Sequence, residues 1–421
     1  MLIGIDASRA NRKFKGGTEW YSYHLIRELV KLDAKNQYIL YSDVPLEPGL
    51  SDLTGDGESA QPVKLTGRWQ EVSSPHHNVR AKILNWPFNL LWTQLRLSYE
   101  MAFHRPDVLF IPAHTLPLIH PDKSVVTIHD IGFEREAGLY SAANIGPKAG
   151  AAAKILNFTA RLITKGKSGS NIKDYHSWSA RFALKKAKKI ITISEFSKRE
   201  LLEIYGAEPE KITVVHNGYN KNIYRPIYER NKTDEVLKKY DIISPYLFYV
   251  GRLEKKKNTD RLIEAYAIMR QTHHNLKHKL VLSGNYNLDF DEIKYVISEF
   301  NLTDDVIMTG WLPEADKPYL YAGADLFVFP SLYEGFGIPL LEAMASGTPI
   351  VCSNTASIPE VTRGAALLFN PLSRKDMAEK MAEVLLNPEL AGNLKKKGFE
   401  RVKNFSLTKS AEQTLKVITG W

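Results

Sequence analysis

The chain has 421 residues, enough for two or three domains, and its 44% hydrophobic and 24% charged content excludes a disordered or fibrous protein. A single cysteine, Cys352, excludes an intrachain disulfide and fits a reducing compartment. The net charge of +9 is concentrated between Gly146 and Lys189, where eleven basic residues meet one acidic residue, Asp174, so an anionic ligand or surface is expected near that block alone.

The start, MLIGIDASRA, reads as a strand and not as a secretion signal. No run of about 18 uncharged apolar residues occurs, so no transmembrane helix is expected. A cytoplasmic protein, peripheral to a membrane at most, is the expectation. After LIGIDA at 2–7 come Lys15-Gly16-Gly17-Thr18 and a helical period with Tyr21, Leu25, Ile26, Leu29 and Val30 on one face. A strand, a Gly-Gly turn and a helix start suit a phosphate, though an ordinary tight turn reads the same way.

YILYS at 38–42 and DVLFI at 107–111 read as strands. Between them, residues 81–97 form an apolar stretch with Trp86 and Trp92. SVVTIHD at 124–130 ends in His129 and Asp130, at the carboxyl end of a strand, where open α/β sheets bind ligands. Over 146–173, Ile155, Leu156, Leu162 and Ile163 alternate with Lys154, Arg161 and Lys165, which predicts a basic amphipathic helix and then a flexible Gly/Ser/Lys piece. Such a segment packs on a core with a solvated basic face, or it meets an anionic membrane and a lipid-linked acceptor. Nucleic acid is not expected, because no aromatic–basic interleaving or reader fold accompanies the charge. KIITIS at 189–194 and KITVVHNG at 211–218 close this series, with Asn217-Gly218 as a turn. A polar stretch with Pro at both ends, near 225–245, reads as a link.

A second series follows: YLFYVG at 246–251, KLVLSG at 279–284, DVIMTGW at 305–311, DLFVFPS at 325–331, PIVCSN at 349–354 and AALLFN at 365–370. Short apolar runs of this kind are strands buried on both faces of a parallel sheet. Helical periods lie between many of them, as with Leu262, Ile263, Tyr266 and Met269. Two alternating series predict two doubly wound, Rossmann-like α/β domains. After the first strand comes the basic loop Arg252-Leu253-Glu254-Lys255-Lys256-Lys257-Asn258. Trp311 follows the third strand of this series and lies in the core or flanks a ligand. After DLFVFPS, the loop Glu334-Gly335-Phe336-Gly337 opens a helix at Ile338 that carries Glu342, eight residues beyond Glu334. Glycines admit a ligand to the backbone and a helix start attracts anions, while a carboxylate accepts two hydroxyl hydrogen bonds. No metal site is expected. There is one Cys and no H-E-x-x-H, and Asp289-Phe290-Asp291 reads as a helix start with capping aspartates.

The stretch 330–351 resembles the E-x7-E signature of retaining glycosyltransferases of the GT-B fold, most closely family 4 (glycosyltransferase group 1, mannosyltransferase-like). VGRLEKKKN, VIMTGWLP and ASIPEV match that family's second domain, and TIHD, TISEFSK and VVHNG its first. The resemblance implies two facing Rossmann-like domains, over 1–225 and 240–400, with the C-terminal helix, 405–421, packing back on the first. It also implies a nucleotide-sugar donor in the cleft, retention of anomeric configuration, and no cofactor or metal beyond the donor. Arg252 and Lys257 match the family's pyrophosphate-binding pair. Two fixed cations there offset the charge that grows on a departing diphosphate. His129 matches a histidine near the donor sugar, Gly310-Trp311-Leu312 the base-binding edge with Trp311 flanking the nucleobase, and Gly16 and Gly17 a donor-phosphate and acceptor-side loop. Glu342 is expected at the ribose and Glu334 at the sugar.

The expected reaction moves a hexose, mannose from GDP-mannose in preference to a UDP-hexose, onto a cell-envelope or lipid-linked glycan. A phosphorylase or an epimerase on the same fold, and a non-catalytic nucleotide-sugar-binding protein, are the competing readings. The set His129, Arg252, Lys257, Glu334 and Glu342 speaks against the last.

Overall fold

A computed structural model describes residues 1–53, 78–86, 91–135, 138, 172–285 and 290–421. The chain forms two α/β units, one made of Met1–Asn217 with Leu407–Trp421, the other of Gly218–Ser406.

In the first unit seven parallel strands form one sheet: β1 (Leu2–Asp6), β2 (Gln37–Ser42), β3 (Val79–Ile83), β4 (Val108–Ile111), β5 (Ser124–Ile128), β6 (Lys189–Thr192) and β7 (Ile212–Val214). Their order is β3-β2-β1-β4-β5-β6-β7, so the direction of winding reverses between β1 and β4. The pairing Ile3↔Val108 and Ile5↔Phe110 joins those two strands. Helix Gly17–Leu32 buries Tyr21, Leu25, Ile26, Leu29 and Val30, the face its periodicity marks. Each such fully buried aliphatic contributes on the order of 1.5–3 kcal/mol. The C-terminal helix Leu407–Thr419 lies along it, and Thr408 Oγ1 donates to Glu28 Oε2 at 3.0 Å.

Strand β3 is absent from the sequence reading. Its residues, VRAKI, carry Arg80 and Lys82, which break the apolar run that marked the others. Lys82 is nevertheless buried, because it pairs with buried Glu100. The apolar stretch 81–97 therefore begins as strand. Its described end, Trp92–Leu97, is a π-helical turn leading into helix Ser98–Phe103, with Trp92 and Leu97 in the core.

The second unit has six parallel strands: β8 (Tyr246–Val250), β9 (Lys279–Ser283), β10 (Val306–Gly310), β11 (Leu326–Phe329), β12 (Ile350–Ser353) and β13 (Leu367–Phe369). The order β10-β9-β8-β11-β12-β13 reverses between β8 and β11, joined by Leu326↔Leu247 and Phe327↔Phe248. Leu262, Ile263, Tyr266 and Met269 of helix Thr259–Thr272 are buried. The stretch near 225–245 is not merely a link. It contains helix Arg230–Lys239, whose buried Leu237 and the pair Lys239 Nζ–Asp316 Oδ2 (2.6 Å) tie it to helix Lys317–Gly323.

The amphipathic segment expected over 146–173 lies, up to residue 171, outside the described residues, as does Asp289. The remainder of the basic block enters helix Ile172–Lys186, where Lys185 and Lys186 are exposed. Among the described residues no helix is long and apolar enough to cross a membrane, and no cluster of metal-ligating side chains occurs.

Candidate active site

Ligands of doubly wound sheets bind beyond the carboxyl ends of the strands where the winding reverses. In the second unit that place is the end of β8 and β11. Beyond β8, Arg252 is exposed, and a 3-10 turn, Lys255–Lys257, leads into helix Thr259–Thr272. Asn258 makes the turn with φ +58° and is fully buried. Its Nδ2 donates to Pro330 O (3.1 Å) and Pro371 O (2.8 Å), while Leu332 N donates to Lys256 O (2.9 Å). The β8 loop is thereby fastened to the β11 loop.

That fastening brings Lys257 Nζ to Glu334 Oε1 at 2.5 Å. Glu334 is itself 9% exposed, and its carbonyl accepts from Ser357 Oγ at 2.8 Å. Gly337 ends the loop at φ +92°, where an added Cβ would stand 2.9 Å from Leu340 Cδ1. Only glycine takes that backbone shape without strain. The helix Ile338–Ser346 starts there, with proline in its first turn. Gly335 is buried in the loop and Ile338 is half-buried. The Phe336 ring is buried against Phe405 (5.6 Å between centroids), so this residue has only its backbone to offer a ligand.

Glu342 lies one turn into that helix and is 7% exposed. Its Oε2 accepts from Tyr321 OH at 2.8 Å. Burial pushes its carboxyl up to about 7; Lys317 opposes the shift and Glu314 adds to it. Trp311, just after β10, is 44% exposed, so the core reading fails for it and its ring stands at the carboxyl edge of the sheet.

In the first unit, the equivalent edge lies beyond β1 and β4. His129, after β5, is buried, and Pro112 O accepts from its Nε2 at 3.0 Å, so that nitrogen carries the proton. The Tyr21 ring meets it edge-on at 4.6 Å and the His114 ring at 5.3 Å, with His176 6.5 Å beyond His114. Burial lowers the pKa of all three imidazoles, which keeps them neutral near pH 7. Asp130 Oδ1 accepts from Gly132 N at 3.1 Å, a turn contact. Asp6, at the end of β1, is buried and pushed up to about 6, against two hydrogen bonds from Ser8.

His114 and His176 were missed in the sequence. His114 follows DVLFI by three residues, and the rule that singled out His129 applies to it equally. His176 sits inside a helix, with no local signal. The Gly16-Gly17 loop differs from the phosphate-loop expectation in one respect: Gly16 N–H already donates to Glu19 Oε2 at 3.1 Å, so an anion there would meet a carboxylate in the first turn. A Cβ at Gly17 would stand in open space, so packing does not demand glycine.

Residues 15–223 match the family model described as Glycosyltransferase Family 4, and residues 232–401 the model described as Glycosyl transferases group 1. The O-antigen chain mannosyltransferase B of Escherichia coli is 31% identical over 244 residues, which are 57% of this chain and 63% of that protein. The match thus spans less than two-thirds of that relative's length. Sucrose-phosphate synthase from Thermosynechococcus elongatus superposes with a TM-score of 0.68 at 18% identity, covering 99% of this chain and 98% of that one. The Anabaena protein HepE, solved in complex with UDP and glucose, gives 0.68 at 15% identity, covering 100% and 99%. At such identities the likeness to these two is one of fold. The two models follow one another along the chain and take in both α/β units, and the chain belongs to glycosyltransferase family 4, the group 1 glycosyl transferases of the GT-B fold.

Proposed function

We propose that the chain is a retaining, metal-independent hexosyltransferase that takes its sugar from a nucleoside diphosphate. The observation that carries this reading is the Lys257–Glu334 pair at the carboxyl ends of β8 and β11, with exposed Arg252 in the same loop after β8 as Lys257. Arg252 and Lys257 hold the diphosphate, Glu334 takes hydroxyls of the transferred sugar, Glu342 takes the ribose hydroxyls, and Trp311 flanks the base. The backbone of Gly335, Phe336, Gly337 and Ile338 lines the phosphate side. His129 hydrogen-bonds the sugar, and Gly16 and Gly17 belong to the acceptor-side loop.

In the reaction, the bond from the anomeric carbon to the diphosphate oxygen breaks and its electron pair stays on that oxygen. The two cations stabilise the growing charge. The acceptor hydroxyl oxygen bonds the anomeric carbon on the same face, and its proton passes to the departing diphosphate. No protein nucleophile is required.

Mannose from GDP-mannose is the preferred donor, supported by the mannosyltransferase relative. A UDP-hexose is the second reading, favoured by the UDP and glucose complex of the Anabaena protein. The acceptor is a cell-envelope or lipid-linked glycan, reached at an anionic membrane surface through residues 146–189. A melting-temperature panel of UDP, GDP, ADP and their sugars tests the donor. A ligand that binds only the folded chain stabilises it by about 2.7 kcal/mol at one hundred times its Kd. A panel in which no nucleotide or nucleotide sugar raises the melting temperature would refute the reading.

A further inference from the structure

Five ionisable side chains of the second unit, Glu342 among them, form one network, buried at Glu342, Tyr321 and Tyr224 and half-buried at Lys317 and Glu314. Tyr321 OH donates to Glu342 Oε2 at 2.8 Å. Lys317 Nζ reaches Glu314 Oε2 at 2.7 Å, and Tyr224 OH donates to Glu314 Oε1 at 2.5 Å. The rings of Tyr224 and Tyr321 meet edge-on at 6.0 Å. The network holds two carboxyls and one ammonium, so with both carboxylates ionised it carries an excess negative charge largely shielded from water. Such a pair resists ionising twice, and the more buried carboxyl holds its proton. Glu342, at 7% exposure, is that carboxyl, while the Glu314 side chain is 19% exposed and pairs directly with Lys317.

We propose that Tyr321, Lys317 and Glu314 are positioning residues that set the charge of Glu342, so that nucleotide binding follows the ionisation of this one buried carboxyl. The proposal rests on the assignment of Glu342 to the ribose. Among the described residues, the charged groups of the neighbouring elements have other partners. Asp316, at the start of the Lys317–Gly323 helix, is taken by Lys239 and Tyr240. Helix Pro388–Val402 meets the Glu342 helix through Gly398 against Met344, and its Arg401 is spent on the carbonyls of Glu360 and Val361. The paired strands β11 and β12 present apolar core. The described groups that act most on Glu342 are Lys317, Glu314, Tyr321 and Tyr224, and they pull in opposite directions.

A carboxylate accepts from both ribose hydroxyls, whereas a protonated carboxyl loses part of that capacity. With the carboxyl poised at about 7, the ionised fraction rises about tenfold from pH 6 to pH 8, and the apparent affinity follows the competent fraction. Folding stability moves the other way. A carboxyl held above its ordinary value contributes stability that is complete below that value and lost as pH rises through about 7. A purely structural role would move stability and binding together.

The test has two arms. The Glu342 carboxyl is titrated directly by 13C NMR of glutamate-labelled protein, with Glu342→Gln for assignment. GDP-mannose and UDP-glucose are then titrated by calorimetry between pH 5.5 and 8.5, because their diphosphate diesters do not themselves ionise in that range. A midpoint near 7 is expected, moved down by Glu314→Gln and up by Lys317→Met and Tyr321→Phe, and the binding midpoint should move with it in each variant. Raising the pH should restore tight binding to Tyr321→Phe but not to Glu342→Gln. A Glu342 midpoint in the ordinary carboxylate range overturns the proposal. So does binding that stays flat with pH while Glu342 titrates near 7. If neither nucleotide sugar binds at any pH, the donor reading fails, whatever the NMR midpoint, and this inference falls with it.

Discussion

Replacing Lys257 with Met keeps the length and apolar stem of the side chain and removes the charge that Glu334 holds. The pair is mostly shielded, with side-chain exposures of 19% and 11%, so solvent screens it only in part. At an effective dielectric of about 20, two unit charges ~4 Å apart interact by about 4 kcal/mol. A departing diphosphate gains part of one charge, and water and Arg252 take up some of the loss, which leaves about 2.7–4 kcal/mol. That is on the order of 100- to 1,000-fold in turnover. Lys257→Met is therefore expected to lose at least 100-fold in kcat for donor hydrolysis or transfer, measured as nucleoside diphosphate released from GDP-mannose or UDP-glucose. Glu334→Gln alone and the double variant complete a mutant cycle, in which the two losses should not add because the residues are in contact. A Lys257→Met enzyme within threefold of the parent, or a cycle whose losses simply add, would refute the role given to this pair.

Arg252→Ala should also lower turnover by about two orders of magnitude, while EDTA leaves activity intact; abolition by EDTA with rescue by Mg²⁺ or Mn²⁺ would defeat the metal-free mechanism. Glu342→Ala should weaken free nucleotide and nucleotide sugar alike, whereas Glu334→Ala should weaken or slow the nucleotide sugar and spare the free nucleotide, as read by calorimetry; equal loss of free-nucleotide binding in both would remove that division. Residues 146–189 should carry the chain to anionic liposomes in co-sedimentation, at about 1 kcal/mol per basic residue near the surface, with release at high salt. Binding indifferent to lipid charge, or surviving deletion of 146–175 in a folded protein, would exclude that anchor.

Much was legible in the sequence because the signals are local. A parallel strand buried on both faces reads as a short apolar run, and twelve of the thirteen described strands fall on runs read as strands, most of them of this kind. The exception, β3, depends on Lys82 finding Glu100, a partner that no local pattern announces. The turn at Gly337 was readable too, since glycine at a strand-to-helix junction points to a backbone shape that other residues resist. Arg252, Lys257, Glu334 and Glu342 were singled out through the family resemblance of the loops that carry them.

What tertiary structure alone decided is how those residues meet. Lys257 and Glu334 are 77 positions apart, and they touch because β8 pairs with β11 and Asn258 bridges the two loops. The hydrogen bond from Tyr321 and the competing pulls of Glu314 and Lys317 on Glu342 exist only once helix Lys317–Gly323 lies against helix Ile338–Ser346. The departure of Trp311 from the core and the gathering of His114, His129 and His176 arise in the same way. Periodicity and turn chemistry are properties of neighbours in the chain, so a sequence carries them directly. Burial and charge state are properties of neighbours in space, and they come into being only when the sheet closes around them.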